Sequence, residues 1–385
     1  MTNQPFAIRG QLLLGSHLEA GTLVVSEGQI ERVVRGHVRD GDLPAPVIDA
    51  SIVSPGLIDL QVNGANGAEV GDDAEAIEGI SRWLAQTGVT AWLPTVVTAD
   101  SGFYPGVFEA YTQVDTRIGA TPLGLHLEGP FLAPARKGAH QLRYIEAATD
   151  ELFESWLTQD AIRLVTLAPE RTGGLDQIRS LADRGIVVSL GHTDATYDDF
   201  SSGIDAGATK ATHLFNAMSP MHHRQPGAMI AAMTDDRVTA GLIPDAVHAH
   251  PASVRLAIRA KGPDRIVIVS DMMSAIGLGS GTYELGGQSV IVEGPTAHLE
   301  DGTLAGSVLT MDQAVRNLVD WADVPVTATL LMCTQVPADL LHDRTRGRLI
   351  AGARADFALW SDDLQVVETY VDGAKVWSKA SDQAG

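Results

Sequence analysis

Residues suited to metal binding and acid–base chemistry follow several apolar runs of this sequence, each at a point where a strand should end. In chain order they are Gln61, Asn63, His126, Glu128, His192, His213, His248 and Asp271. In a barrel of alternating strands and helices, the carboxyl ends of all strands meet on one face. Residues far apart in the sequence would therefore share one polar site there.

Three of these residues form a set typical of a hydrolytic metal site. Glu128, His192 and His213 offer one carboxylate and two imidazoles, which leaves an open position for water. A zinc-like ion lowers the pKa of such a water to about 7. A single histidine is more often an ordinary core or surface imidazole, but three metal-type residues at strand ends favour the metal site.

Three further residues could act beside the metal. Asp271 follows the apolar run 265–270, and a carboxylate there could take a proton from water and pass it to a departing amine. The alternative for Asp271 is a helix cap or a structural ion pair. Arg224 could capture an anion such as phosphate, although a solvated loop explains it equally well. His140 could polarise an amide carbonyl or contact a sugar, or be an ordinary loop histidine.

The elements that position these residues alternate between apolar strands and helix-like segments, which is typical of a (β/α)8 barrel. The predicted barrel strands are Ser54–Gln61, Val89–Thr95, Leu123–Glu128, Arg163–Leu167, Val187–Gly191, Lys210–Leu214, Val238–Ile243 and Ile266–Asp271. Predicted helices include Asp73–Gly88, Leu175–Gly185, Asp199–Gly207 and His250–Lys261. Gly277–Gly281 is predicted to form a mobile loop over the site.

Both ends of the chain consist of short apolar strands separated by turns. The predicted strands are Gln11–Leu14, Gly21–Ser26, Gln29–Val34, Asp356–Trp360, Gln365–Tyr370 and Ala374–Trp377. We predict that residues 1–53 and 347–385 together build a small β-sandwich domain, packed closely against a barrel of residues 54–346. The predicted fold class is therefore α/β.

The composition narrows the possible partners and compartments. The 385 residues suffice for a barrel of roughly 250 residues plus a small domain. A formal charge of −21 argues against nucleic-acid or anionic-membrane partners. The single cysteine, Cys333, fits a reducing compartment and excludes an internal disulfide. Because no signal-peptide pattern or membrane-length apolar run is present, we expect a cytoplasmic protein.

Longer motifs surround the candidate residues. The most specific are His-Leu-Glu-Gly-Pro at 126–130, Gly-His-Thr-Asp-Ala-Thr-Tyr at 191–197 and Thr-His-Leu-Phe-Asn-Ala-Met at 212–218, supported by segments 55–59, 137–140, 167–170, 223–227 and 304–307. Over nearly its whole length the chain resembles the N-acetylglucosamine-6-phosphate deacetylase family of the amidohydrolase superfamily. The resemblance implies a barrel with a small β-sandwich from both chain ends. It also implies hydrolytic deacetylation of an amino-sugar phosphate, in amino-sugar catabolism and cell-wall recycling.

The resemblance also implies roles for individual residues. Glu128, His192 and His213 match the metal ligands, and Asp271 matches the general base and acid. His140 and His248 match residues that contact the substrate and polarise the acetyl carbonyl. Arg224 matches a phosphate contact that reaches across from the neighbouring subunit of a homodimer. The remaining substrate-lining matches are Ala139, Asn216, Ala217, Asp245, Ala246, Val247, Leu304, Ala305 and Gly306.

Three positions depart from the pattern of related sequences. Gln61-Val62-Asn63 stands where many amidohydrolases have His-x-His for a second metal, and neutral amides bind zinc-like ions poorly. We therefore predict one divalent ion per subunit, zinc first, with iron, cobalt or manganese as alternatives. Met272-Met273-Ser274 follows Asp271 where a small residue is usual, and Ala246 replaces a usual glycine. These two changes would affect substrate preference more than reaction type.

Other functions remain open on the sequence alone. An amidohydrolase acting on N-acetylgalactosamine 6-phosphate, an N-acyl-amino acid or a cyclic amide could have the same metal site. A sugar-phosphate-binding protein without catalysis is disfavoured, because the ligands and Asp271 are all present. A serine hydrolase is disfavoured because the chain has no Gly-x-Ser-x-Gly elbow. The glycine run 277–281 lacks the Gly-Lys-Ser/Thr of a phosphate-binding P-loop.

Overall fold

A computed structural model describes residues 4–379 of the chain. Eight parallel strands lie side by side as the walls of a barrel: Leu57–Val62, Val89–Val97, Leu125–Glu128, Ile162–Leu167, Val187–Leu190, Lys210–Ala211, Thr239–Leu242 and Ile266–Ile268, with the short strand Thr121–Pro122 beside the second. The N–H of Asp271 donates to the carbonyl of Gln61 at 2.9 Å, and that of Asn63 to the carbonyl of Met272 at 2.9 Å. These bonds join the last strand to the first, and the predicted (β/α)8 barrel is confirmed.

The strands follow the predicted order, but some bounds differ. Ser54 and Pro55, predicted to begin the first barrel strand, pair instead with the strand Phe357–Trp360 of the outer sheet. The chain passes between the two sheets at Gly56, where a Cβ atom would lie 2.0 Å from the hydroxyl oxygen of Thr90. A side chain at this position would therefore force the sheets apart.

Helices cover the outside of the barrel. Within the described residues, the α-helices are Ala74–Leu84, Tyr104–Gln113, Leu142–Glu146, Asp150–Trp156, Gly174–Ala182, Tyr197–Asp205, Gly227–Thr234, Pro251–Lys261, Met311–Asp320, Val326–Cys333 and Gln335–Leu340. Single 3-10 turns occur at Asp40–Asp42, Ala85–Thr87, Pro134–Arg136 and Pro263–Arg265. The helix predicted from Asp199 begins earlier, because Thr196 and Asp199 form a capping box around its first turn.

Both chain ends contribute to a second sheet, as predicted. Its seven strands lie in the order Ala374–Ser378, Val366–Val371, Phe357–Trp360, Val47–Pro55, Phe6–Leu14, His17–Ser26 and Gln29–Arg35. The sheet bends around a hydrophobic cluster that includes Ile30 near one edge and Tyr370 near the other. The N–H of Ile30 also donates to the carbonyl of Ala353 at 2.8 Å, which covers the edge strand. The division at residues 53 and 347 stays a prediction.

Two small sheets that were not predicted stand beside the barrel mouth. One contains Gly281–Leu285, Gln288–Glu293 and Thr296–His298, and the other contains Gly64–Ala65 and Ala68–Glu69. The Gly286-Gly287 turn between two apolar runs is a hairpin signal that could have predicted the first. Glu69 accepts the N–H of Gly286 at 2.6 Å and links the two sheets. The mobility of Gly277–Gly281 stays a prediction.

No helix in the described part of the chain combines the length and apolar character that a membrane crossing needs.

Candidate metal and catalytic site

Glu128, His192 and His213 meet at the mouth of the barrel. Glu128 ends one barrel strand, while His192 and His213 come two residues after the ends of two others. The Oε1 atom of Glu128 lies 3.4 Å from Nε2 of His192 and 3.2 Å from Nε2 of His213. The two Nε2 atoms are 3.1 Å apart. The three predicted ligand atoms thus form a nearly equilateral triangle.

The size of this triangle fits a divalent ion. With bonds of about 2.0–2.1 Å, a tetrahedral ion separates its ligand atoms by roughly 3.3–3.4 Å. Burial raises the pKa of Glu128, but hydrogen bonds from His192 and His213 outweigh it and hold that pKa well below its ordinary value. Burial lowers the pKa of His192, yet Glu128 outweighs it, so the net pKa is raised. A cation could replace the proton that this cluster attracts.

The backbone after Glu128 orients His192. Nδ1 of His192 lies 2.9 Å from the carbonyl oxygen of Arg136, which can only accept, so the ring donates from Nδ1. The lone pair of the neutral ring is then on Nε2, facing Glu128 and His213, as in metal sites whose ligand histidines are held by a carbonyl. The buried Nδ1 of His213 has no hydrogen-bond partner among residues 4–379.

His140 offers an alternative third ligand, because the metal-type atoms of Glu128, His140 and His192 also lie within 4.8 Å of one another. Its Nε2 atom, however, is 3.9 Å from Oε2 of Glu128, farther than the 3.2 Å of His213. Nδ1 of His140 accepts the N–H of Thr98 at 3.3 Å, which places the proton of the neutral ring on Nε2. Burial lowers the pKa of His140 to about 3, so the ring is neutral. His140 is therefore arranged as a hydrogen-bond donor rather than as a ligand.

Asp271 lies beside the triangle, held by two amide side chains. Its Oδ1 atom accepts from Asn63 at 2.7 Å and from Gln61 at 3.2 Å. The same Gln61 amide donates to Oε1 of Glu128 at 2.9 Å. Burial, then the charge of Glu128, raises the pKa of Asp271 to about 6. Gln61 and Asn63 therefore bind the carboxylates of the site directly.

His248 faces the same cavity with its partner Asp245 behind it. Nδ1 of His248 donates to Oδ2 of Asp245 at 2.6 Å, and Oδ1 of Asp245 accepts the N–H groups of Val247 and His248 at 2.8 and 2.7 Å. Burial lowers the pKa of His248, but Asp245 outweighs it and the net pKa is raised. Asp245 thus fixes the ring so that its Nε2 side points toward the cavity.

The backbone is strained where these side chains leave their strands. His192, His213 and Asp271 have φ values of +47°, +26° and +53°, and Ala217 and Ala246 have +47° and +64°. Such left-handed conformations cost a non-glycine residue about 1–2 kcal/mol and persist where the surroundings impose them. The sixth and eighth strands end at Ala211 and Ile268, earlier than predicted, and the positive φ values at His213 and Asp271 follow within three residues.

A cavity of about 370 Å³ opens above the triangle. The predicted site residues that line it are Glu128, Ala139, His140, His192, His213, Asn216, Ala217, His248, Asp271, Leu304 and Gly306. Asp245, Ala246, Val247 and Ala305 do not line it; Ala305 is buried in the cluster under the three-stranded sheet. Arg224 is exposed, with Nη1 2.8 Å from Nε2 of His223, and does not line the cavity of its own chain.

Several lining residues were not predicted as site residues. They are Val97, Thr98, Ala135, Arg136, Gly138, Gln141, Leu285, Gly286, Gln288 and Thr303, whereas Asn63, which also lines the cavity, was among the predicted strand-end residues. Thr98 follows directly on the strand Val89–Val97, so the strand-end rule could have found it. Gln141 and Gln288 could not be found that way, because neither follows a barrel strand: Gln141 precedes the helix Leu142–Glu146, and Gln288 begins a strand of the small three-stranded sheet. Gln141 donates to the carbonyl of Gly286 and Gln288 to that of Ala139.

His126 does not belong to the site, contrary to its place among the predicted strand-end residues. It is fully buried inside the barrel, with Nε2 2.8 Å from the hydroxyl of Thr166 and Nδ1 3.1 Å from the carbonyl of Leu60. Burial lowers its pKa to about 3. Two residues before Glu128 on the same strand, His126 points to the same face but lies about 6–7 Å deeper.

Known proteins resemble this chain over most of its length. Residues 52–376 match the amidohydrolase family model. An N-acetylglucosamine-6-phosphate deacetylase of Bacillus subtilis (strain 168) is 36% identical in an alignment that covers 95% of this chain and 95% of its own. An N-acetylgalactosamine-6-phosphate deacetylase of Escherichia coli O157:H7 is 36% identical over 92% of this chain and 98% of its own.

A solved structure has the same fold. It is a mutant N-acetyl-D-glucosamine-6-phosphate deacetylase from Mycobacterium smegmatis in complex with N-acetyl-D-glucosamine 6-phosphate. The two chains superpose with a TM-score of 0.92 at 31% identity, over 97% of this chain and 100% of the other. The barrel, the outer sheet and their arrangement are thus common to both proteins.

Proposed function

The chain belongs to the amidohydrolase family, and we propose that it removes the acetyl group from N-acetyl-D-glucosamine 6-phosphate, releasing D-glucosamine 6-phosphate and acetate. The relatives bear out the prediction of a hydrolase of this type in amino-sugar metabolism. The observation that carries the proposal is the triangle of Glu128, His192 and His213, with Asp271 beside it in one cavity.

Glu128, His192 and His213 would hold one divalent ion, with zinc as the first candidate and iron, cobalt or manganese as the others. When bound, such an ion acts as a Lewis acid and lowers the pKa of a coordinated water to about 7. The mixed ligand set supports this choice, because imidazole suits zinc and iron and a carboxylate suits manganese, whereas magnesium and calcium prefer all-oxygen sites. Gln61 and Asn63 support a single ion, since both amides already bind carboxylates.

Asp271 would move the protons of the reaction. It takes a proton from the attacking water, whose oxygen bonds to the acetyl carbon, and later delivers a proton to the sugar nitrogen as the C–N bond breaks. A pKa of about 6 suits both tasks near neutral pH. His140 would donate from Nε2 to the acetyl oxygen, and His248, held by Asp245, would contact the substrate beside it.

Arg224 would bind the phosphate of a partner subunit's substrate in a homodimer. Arg224 is exposed and does not line the cavity of its own chain, which supports a role across an interface. Mixing Arg224→Ala with Asp271→Asn subunits tests this, because the mixed dimer regains one site with both residues. At a substrate concentration well below KM, where both parent homodimers are nearly inactive, random exchange should restore about a quarter of wild-type activity. Mixed samples no more active than their components would contradict the arrangement.

Acetate release from N-acetyl-D-glucosamine 6-phosphate, with metal content measured on the same sample, tests the proposal. Acetate should form in proportion to bound metal, and activity should be lost on chelation and regained on adding zinc. Unphosphorylated N-acetylglucosamine should react far more slowly, because it lacks the anion that Arg224 binds. Equal rates with both sugars, or turnover independent of metal, would contradict the proposal.

N-acetyl-D-galactosamine 6-phosphate is a second candidate substrate, because the relative that deacetylates that sugar is as identical to this chain, 36%, as the Bacillus relative. The kcat/KM values for the two sugars, measured side by side, decide between them. We also propose a cytoplasmic location, which the single buried cysteine supports.

A further inference from the structure

The turn that contains His192 is the place where the predicted ligand loops are joined. The N–H of Ala133, in the segment after Glu128, donates to the carbonyl of His192 at 2.8 Å. The N–H of Thr193 donates to the carbonyl of Ala217, in the segment after His213, at 3.0 Å. A shift of this turn would therefore disturb all three corners of the triangle.

Glu170 accepts hydrogen bonds from two residues of this turn. Its Oε2 atom accepts the hydroxyl of Thr193 at 2.6 Å, and its Oε1 atom accepts the N–H of Asp194 at 2.7 Å. The hydroxyl of Thr193 in turn accepts the N–H of Ala195 at 3.0 Å. One half-buried carboxylate thus uses both oxygens on the two residues that directly follow His192.

Such a restraint is needed because His192 has a left-handed backbone, with φ of +47°. An unrestrained histidine would relax toward negative φ, which is favoured by about 1–2 kcal/mol. That rotation would carry Nε2 of His192 away from Glu128 and His213 and would break the Nδ1 contact with the carbonyl of Arg136. Hydrogen bonds to an ionised carboxylate are worth about 1.5–3 kcal/mol each, enough to offset this preference.

We propose that Glu170, acting through Thr193 and Asp194, is a positioning residue that keeps His192 in the geometry for holding the metal. The inference rests on the proposed ligand role of His192. Glu170 touches neither the cavity nor the other two ligands, so its effect should fall on metal affinity before any other property. Partners of ligand histidines affect metal affinity in the same way, typically by 10- to 100-fold.

The test compares four variants in the full chain. Glu170→Gln removes the negative charge and replaces one of the two acceptor oxygens with a donor, so Thr193 and Asp194 can no longer both donate to residue 170. Thr193→Val removes the hydroxyl, whereas Thr193→Ser keeps it. Glu78→Gln is a matched control, because Glu78 is also half-buried and accepts a backbone N–H, that of Asp115, at 3.0 Å outside the site. Each protein is assayed for its Kd for Zn²⁺ by competition with a chelator, for its visible spectrum with Co²⁺, and for its metal-free unfolding free energy.

Glu170→Gln and Thr193→Val should raise the Kd for Zn²⁺ by roughly 10- to 100-fold and alter the Co²⁺ spectrum, whereas Thr193→Ser and Glu78→Gln should leave both near wild type. A Kd unchanged in Glu170→Gln and Thr193→Val would overturn the inference. The inference would also be overturned if Glu170→Gln destabilised the metal-free protein more than Glu78→Gln does while its zinc affinity stayed at the wild-type value. His192→Ala separates this inference from the proposed function: if that variant binds zinc as wild type does, the ligand assignment itself is wrong.

Discussion

The barrel contains two layers of buried polar side chains, one above the other. The upper layer is Glu128, His192, His213 and Asp271, which are 3 to 8% exposed and face the cavity. The lower layer is Asp59, His126 and Lys210, all 0% exposed. Both layers contain carboxylates and bases of the kinds used in catalysis. Only the upper layer brings several ligand atoms together at an opening, so shared access to a cavity, rather than buried polarity, marks the site.

The lower layer is poorly compensated. The ammonium group of Lys210 and Oδ2 of Asp59 have no hydrogen-bond partners within residues 4–379. Oδ1 of Asp59 accepts the N–H groups of Gln61 at 3.2 Å and Ser270 at 3.3 Å, which ties the first and last strands together. Substitutions in the lower layer should therefore change the stability of the protein and the pH dependence of that stability, whereas substitutions in the upper layer should change turnover.

The largest expected effect belongs to Asp271. Asp271→Asn keeps the shape of the side chain but removes the proton acceptor, so kcat should fall by about 10²- to 10⁴-fold while metal content and substrate binding persist. The matched change in the lower layer, Asp59→Asn, keeps the Oδ1 acceptor and should change kcat by less than about tenfold. Steady-state kinetics on both variants measure the contrast, and near-normal turnover of Asp271→Asn would remove its proposed role.

The second prediction concerns the pH dependence of the lower layer. Burial raises the pKa of Asp59 to about 7, above its unfolded value, so the stability contributed by Asp59 is full below about pH 4 and is lost as pH rises through about 7. The unfolding free energy of Asp59→Asn minus that of the wild type should therefore rise by a few kcal/mol from pH 5 to pH 7.5. Chemical denaturation of the metal-free proteins measures this. A difference between variant and wild type that is equal at both pH values would contradict it.

Lys210 should behave in the opposite sense. Burial lowers its pKa to about 8, below its unfolded value, so its contribution to stability is full above about pH 10.5 and is lost as pH falls through about 8. Lys210→Met should therefore stabilise the metal-free protein more at pH 7.5 than at pH 10. A gain that grew with pH would show that Lys210 is paired in the native protein.

A smaller effect is expected from Arg224, which is exposed and lies outside the cavity of its own chain. Arg224→Ala should raise KM for the phosphorylated sugar by about 10- to 100-fold with a smaller change in kcat, because a charged hydrogen-bond partner of the phosphate is lost. Arg237→Ala, an exposed arginine paired with Asp205 and Asp235, serves as the control. An unchanged KM in Arg224→Ala would remove this residue from the phosphate site.

The smallest effect concerns Ala246, an alanine with a left-handed backbone. Ala246 has a φ of +64°, so Ala246→Gly should relieve strain and stabilise the protein by about 1 kcal/mol or less. Ala260→Gly, in the helix Pro251–Lys261, should instead destabilise it by roughly 0.5–1 kcal/mol. Thermal or chemical denaturation compares the two, and destabilisation by both would contradict the strain at Ala246.

The sequence predicted the barrel and its outer sheet because strand order and apolar periodicity are local signals. It brought Glu128, His192 and His213 together because all three follow strands at one face. It misplaced His126, because the alternation of residues along a strand shows which face a side chain points to but not how far below the barrel mouth it lies. Gln141 and Gln288 were missed because contacts between the small three-stranded sheet and the segment after Glu128 depend on tertiary packing. The strained φ values at His192 and Asp271 have no local signature.

The most direct test of the account is anomalous diffraction at the zinc edge from crystals of the zinc-loaded chain. The account predicts one strong peak per subunit, at about 2.0–2.3 Å from Oε1 of Glu128 and from Nε2 of His192 and His213, with Asp271 facing the open side. A peak beyond bonding distance from Nε2 of His213, or a second peak beside Gln61 and Asn63, would contradict the account.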